Sequence, residues 1–331
     1  MSVEKQTRNV TIKDVAREAN VALGTVSRII NGNKTVAPEL RKHVEAVIRE
    51  LGYRPNPTAQ TLRTQRTHAI GIIVTDLSQP IAAKLVAVAS DIARQKGFAP
   101  IVGDFLNDVA AEENLLNFMA ERNVDGMLLT VSSDENSELL DRLGALKIPI
   151  VLWERDAEAR FRSVRTDHRQ GALMAAQVLR ERGRKHVVLV AGHENTWTGR
   201  EQVGGFRDGL QGEVRLTVGY TGRFSAIWLR NLLNGPETVD AVVANVHDIP
   251  TVLQTLAAQG RSCPRDVSVI SIGDDPFLEI SAPPVSAIRL RPELVAERAM
   301  LKLLAMLDQN GPASNEQDAL IAPDIVLRAS V

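Results

Sequence analysis

Arg28 stands one residue after Ser27 and three after Thr25 in the run TVSR. A guanidinium can donate two parallel hydrogen bonds to the edge of a guanine, and the two hydroxyls suit a phosphate oxygen or a base edge. Carried on the solvent side of a helix, this trio is chemistry for reading duplex DNA. A different chemistry is on offer far downstream. Asp274 ends the apolar strand candidate Val267 to Ile272, and Asn245 follows the run AVVA in the same way. A carboxylate accepts two bonds from a vicinal diol, the usual carboxylate mode for a sugar. Spacing alone equally allows each of these residues to be a salt bridge or a cap.

Catalytic readings find less support. Asp274-Asp275 in isolation suits an acid pair, but no nucleophile or candidate metal site accompanies it. There is no G-x-x-x-x-G-K-[ST], G-x-G-x-x-G or G-x-S-x-G. The histidines at 43, 68, 168, 186, 193 and 247 show no ligand spacing, and satisfied or exposed side chains are their default. Gly204-Gly205 falls within a predicted helix and reads as close packing. With Cys263 the only cysteine, an intrachain disulfide is impossible and a structural zinc site is not expected. The expectation is a protein that is not an enzyme and needs no cofactor or metal.

The elements that must position the first trio are short. Thr11 caps a helix with Ile12, Val15, Ala16 and Ala19 on one face; Asn20 and Val21 turn the chain; a second helix runs from Ala22 or Leu23 to Ile30, burying Val26 and Ile29. Asn31-Gly32 ends it, and Pro38 opens a third helix whose stripe of Leu40, Val44, Val47, Ile48 and Leu51 closes a small core before Gly52. Two short helices on so brief a turn form a helix-turn-helix, which places its second helix in the major groove. Charge agrees. Residues 1–66 carry a net +6 and the remainder −7, a basic head on an acidic body, although the chain as a whole is only −1.

Between them lies Tyr53 to Arg66, YRPNPTAQTLRTQR. Asn56 suits an N-cap, Pro57 the first helical position, and Thr58 to Arg63 supply about two turns, a length that is marginal alone in water. A hinge that folds on DNA is the expectation.

From Ala69 the pattern becomes strands alternating with amphipathic helices. Strand candidates are Ala69 to Val74, Ala99 to Val102, Gly126 to Val131 and Ile148 to Leu152, then His186 to Ala191, Arg215 to Val218, Ala241 to Ala244 and Val267 to Ile272. Two such series imply two parallel sheets covered on both faces, with ligands bound beyond the carboxyl ends of the strands.

Over more than 50 consecutive residues, VTIKDVAREANVALGTVSRIINGNKTVAPELRKHVEAVIRELGYRPNPTAQTLRT resembles the N-terminal signature of the lactose repressor (LacI/GalR) family. The resemblance implies that Leu23 and Gly24 set operator preference, that Thr25 to Arg28 touch phosphates and bases, and that Leu62 wedges into the minor groove at the operator centre. The candidate DNA-contacting set is Thr11, Leu23, Gly24, Thr25, Ser27, Arg28, Asn31, Asn56, Ala59, Leu62 and Arg63. The chain departs from the family where Ala22 and Ala37 replace serine caps and where Leu23-Gly24 replaces a polar or aromatic pair.

The body is similar to a periplasmic-binding-protein-like fold whose chain crosses three times between lobes, here near Thr166, near Ile288 to Arg291 and near Asn310 to Leu320. The organisation expected is a helix-turn-helix head at 1–52, a hinge at 53–66 and an effector-binding, dimerising body at 67–331. Lobe 1 would hold about 67–166 and 291–310, and lobe 2 about 167–290 and 320–331. The resemblance adds Arg200, Phe224 and Glu154 to Asp274 and Asn245 as effector-binding candidates: the arginine to hold the ligand, the phenylalanine to stack on a sugar ring. Arginines 155, 165, 200, 223 and 289 near the predicted cleft hint at an anionic ligand such as a sugar acid or sugar phosphate. In the family the usual Asp after Asn245 is Val246 here, and Leu290 stands at a position polar in some relatives.

The partners expected are a pseudo-palindromic double-stranded operator, a small carbohydrate-type effector and a second copy of the chain, which operator symmetry requires. A sugar-binding or sugar-modifying protein without a regulatory role is the alternative. The start MSVEKQTRN lacks the apolar core of a signal peptide and no run reaches about 18 apolar residues, so no membrane contact and a cytoplasmic location are expected. No heptad repeat follows the body, so a coiled-coil tetramer is not expected.

Overall fold

Thr11 starts the first helix with a reciprocal cap: its hydroxyl accepts from Asp14 N at 3.4 Å and its own N–H donates to Asp14 Oδ2 at 3.0 Å. Helix α1 (Ile12–Glu18) ends at Ala19, and Asn20 takes a left-handed φ of 52°, a conformation asparagine tolerates, to turn the chain into α2 (Leu23–Ile30). Helix α3 (Pro38–Glu50) closes the unit. Val15, Ala19, Val26, Ile29, Val44 and Val47 meet in a core built from all three helices.

Ala37 precedes α3 with no side-chain cap on the helix. Ala37→Ser is therefore expected to stabilise the head by about 1 kcal/mol, raising its melting midpoint by about 4–8 °C. A thermal melt followed by circular dichroism checks this, and an unchanged midpoint would mean that the first-turn amides are already satisfied.

The computed structural model of the chain describes residues 10–30, 36–53, 66–157, 160–212, 214–308 and 319–331, and the chain divides into two units, Met1–Thr67 and His68–Val331. The second unit opens with β1 (Ala69–Val74), α4 (Pro80–Gln95), β2 (Ala99–Asp104), α5 (Val109–Glu121), β3 (Gly126–Leu129), α6 (Ser137–Ala145), β4 (Ile150–Trp153) and β5 (Arg162–Thr166). It continues with α7 (His168–Glu181), β6 (His186–Ala191), α8 (Trp197–Leu210), β7 (Arg215–Tyr220), α9 (Ala226–Leu233), β8 (Ala241–Asn245), α10 (Ile249–Ala258), β9 (Ser268–Ile272), α11 (Phe277–Ile280) and β10 (Ser286–Arg289). Then come α12 (Pro292–Leu307), β11 (Ala319–Ile321) and β12 (Asp324–Val326).

Two six-stranded sheets result, ordered β11-β5-β4-β3-β1-β2 and β12-β10-β9-β8-β6-β7. Every pairing is parallel except β10 with β12. Strand β9 and the Val187 to Ala191 run of β6 are apolar or small at every position because both faces are covered. In the first sheet Ile70, Ile72 and Val151 face α4 and α12, while Ile73, Met127 and Leu152 face α5 and α6. In the second, Leu189 and Ile270 face α7 and α8, and Val190 and Val269 face α9 and α10.

The chain leaves β5 at Thr166 for α7, which packs on the second sheet, and leaves β10 at Arg289 for α12, which packs on the first, in agreement with crossings near Thr166 and near Ile288 to Arg291. Other details differ from the sequence reading. The third passage comes after Ile321 instead of within 310–320: Leu320 pairs in the first sheet with Arg165, and the chain enters the second sheet only at Asp324. The strand expected at Arg215 to Val218 runs on to Tyr220. Strands of three residues carry too little periodicity to be recognised before their partners are known.

Gly205 fixes how α8 lies on α7. A Cβ there would sit 2.3 Å from Arg169 O and 2.7 Å from Ala172 Cβ, so only glycine permits this approach. Of the Gly204-Gly205 pair, Gly205 is the close packing that its place in a helix suggested, while Gly204 faces only the Arg169 guanidinium.

Candidate functional site

In the head, Leu23, Gly24 and Arg28 are exposed along α2, with Thr25 and Ser27 half-buried beside them. Arg28 Nε donates to Gly24 O at 3.2 Å, and Nη2 lies 3.5 Å from Thr25 Oγ1, which lays the guanidinium along the helix surface. Leu23 leaves 44% of its surface to solvent, an apolar group suited to a thymine methyl. Thr11 spends its side chain on capping α1, where its hydroxyl also lies 2.7 Å from Asp14 Oδ2. Of the other expected DNA contacts, Asn31, Asn56, Ala59, Leu62 and Arg63 lie outside the described residues, as does 54–65 of the expected hinge.

In the body, a cleft of about 150 Å³ opens where the carboxyl ends of the two sheets face one another. Of the five expected effector residues, Glu154 and Asn245 line it, and Arg200, Phe224 and Asp274 do not.

Glu154 follows β4 with a left-handed φ of 55°, a conformation that costs a branched or long side chain roughly 1 kcal/mol and turns its carboxylate inward. That carboxylate takes the Thr166 hydroxyl at 2.7 Å, Thr166 N at 3.2 Å and His168 Nε2 at 2.8 Å. Burial alone would push its pKa up. The His168 charge and the bonds from His168 and Thr166 outweigh burial and hold it below the usual range. Asn245 Nδ2 donates to Thr221 Oγ1 at 2.7 Å.

Arg200 is spent on carboxylates. Its Nη2 lies 3.0 Å from Asp134 Oδ1 and its Nη1 3.0 Å from Glu135 Oε1. Asp134, whose side chain is fully buried after β3, also accepts from Trp197 N at 2.7 Å. The carboxylate thus caps the positive N-terminal end of α8 from the opposite lobe, and with Thr198 donating to Glu154 O at 2.9 Å it joins the two lobes at one rim.

Asp274 is likewise occupied: Arg289 Nε and Nη2 reach its Oδ2 at 3.0 and 2.8 Å, and Arg328 Nη2 lies 2.9 Å from Oδ1. It lines a second hollow with Lys84 and Asp275, which adjoins the cleft across Ile81 and Leu290. Phe224 sets its ring edge-on to Trp228 at 6.1 Å and packs against the core between the second sheet and helices α9 and α10. Of the five arginines thought to surround the cleft, only Arg155 lines it. Arg165 is held by Asp156 and stacks over Trp197 at 4.9 Å, Arg223 faces Glu194 at 3.9 Å, and Arg289 is on Asp274.

The cleft also contains what the sequence reading passed over: His168, His193 and His247. Each stands two residues beyond the end of a strand, β5, β6 and β8, which is the signal that marks them. Arg155 is buried, with Nε donating to Val131 O and Nη1 to Glu154 O, both at 2.8 Å. Burial pushes the guanidinium's pKa down, against Asp134, Glu154 and Glu112. Asp76, on the facing rim, is held low: its burial is outweighed by bonds from Ser78 and Gln79.

Comparison with known proteins gives one pattern. Residues 11–56 match the model for bacterial regulatory proteins of the lacI family, and 176–331 match a periplasmic binding protein-like domain. Catabolite control protein A of Staphylococcus epidermidis is 30% identical over 84% of this chain and 87% of its own length. The HTH-type transcriptional regulator CelR of Thermobifida fusca is 32% identical over 90% and 91%. Among solved structures, a complex of the transcriptional regulator CelR with cellobiose superposes with a TM-score of 0.71 at 27% identity, covering 97% of this chain and all of that one. The lac repressor dimer bound to operator and the anti-inducer ONPF gives 0.85 at 22% identity, covering 98% and 99%, a likeness of fold.

Proposed function

Because the chain belongs to the lacI family of bacterial regulatory proteins, we propose that it is a transcription regulator, acting as a repressor, that binds a pseudo-palindromic operator as a homodimer and responds to a small carbohydrate-type effector held between the lobes of its body. The observation that carries the reading is the division of labour in one chain. A three-helix unit presents Leu23, Gly24 and Arg28 to solvent, and a two-sheet unit encloses a cleft whose wall is mostly apolar with polar side chains set into it.

The cleft volume is what a single six-membered ring occupies, by comparison with a 150 Å³ cavity that binds benzene. Asn245 and the Glu154–His168 pair supply orientation. Arg200 and Asp274 act on the protein, not on the ligand, in this reading. Residues 53–66 link the unit that senses to the unit that reads DNA. No turnover is proposed, since the relatives are regulators; conversion of a sugar by the purified chain would overturn this. Among the described residues no helix is long and apolar enough to cross a membrane, and the proposed site of action is the cytoplasm, with the operator.

Footprinting of the full chain on flanking promoter DNA tests the reading. The expected result is a single protected pseudo-palindrome whose protection changes when a stabilising sugar ligand is added. Absence of any specific site would refute the regulator; protection indifferent to every ligand that binds the chain would refute the effector.

A further inference from the structure

Many of the polar side chains that line the cleft already have partners within the protein. Both oxygens of Glu154 are taken by Thr166 and His168, and Asp76 holds Ser78 through Oδ1, with Gln79 Nε2 at 3.5 Å from Oδ2. The hydroxyls of Thr196, Thr198 and Thr221 face the carbonyls of His193, Glu154 and Ala191. Two groups keep unused capacity. His193 Nε2 is a buried nitrogen with no hydrogen-bond partner, on a side chain that lines the cleft. Arg155 spends Nε and Nη1 on carbonyls, and no described residue accepts from its Nη2. A buried polar atom without a partner costs about 1–3 kcal/mol, so an acceptor that filled it would gain by that margin.

We infer that the cleft takes a ligand bearing an anionic group, a carboxylate or a phosphate, seated on Arg155 and His193, and that binding draws one proton from solvent onto the His193 imidazole. The inference rests on the reading of the cleft as the effector site. Other charged groups of the cleft are the Glu154–His168 pair, Asp76, and His247 with its neighbour Asp248; Glu194 follows His193 and faces Arg223. In the free protein burial first, and then the Arg155 charge, push the His193 pKa down, so the ring is neutral at pH 7. An anion against both groups reverses the second effect and favours the charged ring. Affinity is then highest at low pH and falls as pH rises, by up to tenfold per unit between the free and the liganded pKa of His193.

The test is calorimetry and thermal shift on the full chain with D-glucose, D-galactose and D-ribose, the acids D-glucuronate, D-galacturonate and D-gluconate, and glucose 6-phosphate and ribose 5-phosphate. The expected outcome is that the tightest ligand is an acid or a phosphate, at least tenfold tighter than its neutral parent, and the two anionic arms separate carboxylate from phosphate. Titration in two buffers of different ionisation enthalpy at pH 7.5 should show close to one proton taken up. His193→Gln keeps a donor but cannot titrate: uptake should vanish and the pH dependence flatten, with affinity at pH 8 within about fivefold of the parent. Arg155→Lys, checked for an unchanged melt, should lose at least tenfold. A neutral sugar that binds as tightly as its acid overturns the inference and leaves the effector cleft standing, as does anion binding with no uptake that ignores His193→Gln. If no member of the panel binds, the cleft reading falls with it.

Discussion

Moving the full chain from about 50 to about 200 mM salt lowers its affinity for a specific duplex by roughly 10³-fold or more, the loss that follows when six to ten phosphates are neutralised and their counterions released. The motive is the charge split, a head of net +6 on a body of net −7, which places the phosphate-binding charge in the first 66 residues. Arg28→Ala should act differently. Loss of a bidentate base contact costs about 1–3 kcal/mol per site and relaxes preference at one base pair, whereas loss of a phosphate contact weakens all duplexes alike. Electrophoretic shift at several salt concentrations, on specific and scrambled duplexes, separates the two. A flat salt dependence would remove the electrostatic argument, and an equal loss by Arg28→Ala on both duplexes would make that residue a phosphate contact.

Gly205→Val is expected to destabilise the body by about 3 kcal/mol, at the upper end of what inserting side-chain volume into a well-packed contact costs. The new Cβ would meet Arg169 O at 2.3 Å and Ala172 Cβ at 2.7 Å, the first of these being backbone that cannot turn aside. Helices α7 and α8 must part, and α8 is the helix whose N-terminal end the Asp134 carboxylate holds from the other lobe, so the cleft should loosen with it. Gly204→Ala is the control. Its Cβ meets only the Arg169 guanidinium, the end of a flexible side chain, and removing a helical glycine gains about 0.5–1 kcal/mol. Calorimetric melts of both variants test the pair. Equal midpoints for the two would show that α7 and α8 are not held together through Gly205.

The Glu154 and Asn245 assignments against those of Arg200 and Asp274 show where sequence reading reaches its limit. Glu154, Asn245 and Asp274 stand at the carboxyl end of a strand or just past it, Arg200 lies in the first turn of α8, and all four carry groups that suit a sugar. Two of them face the cleft. For Arg200 the competing partner is Asp134, 66 positions away in the chain, and for Asp274 it is the pair Arg289 and Arg328. A guanidinium binds a protein carboxylate as well as a ligand's, and nothing local distinguishes the two until the fold brings the partner near.

By itself the sequence determined everything that depends on neighbours along the chain. The Thr11–Asp14 cap, the 3.6-residue stripes of α1 to α3, the apolar runs of β1, β6 and β9 and the alternation that makes two parallel sheets are all local patterns, each read from a few consecutive residues. The basic head and the TVSR segment were legible for the same reason. What only the tertiary structure decided is which polar groups are already satisfied. It placed β11 and β12 in different sheets, tied four of five arginines to carboxylates, and left the buried Nε2 of His193 without a hydrogen-bond partner. Hydrogen-bond saturation and burial are properties of contacts between distant segments, so they have no signature in a single stretch of chain until it folds.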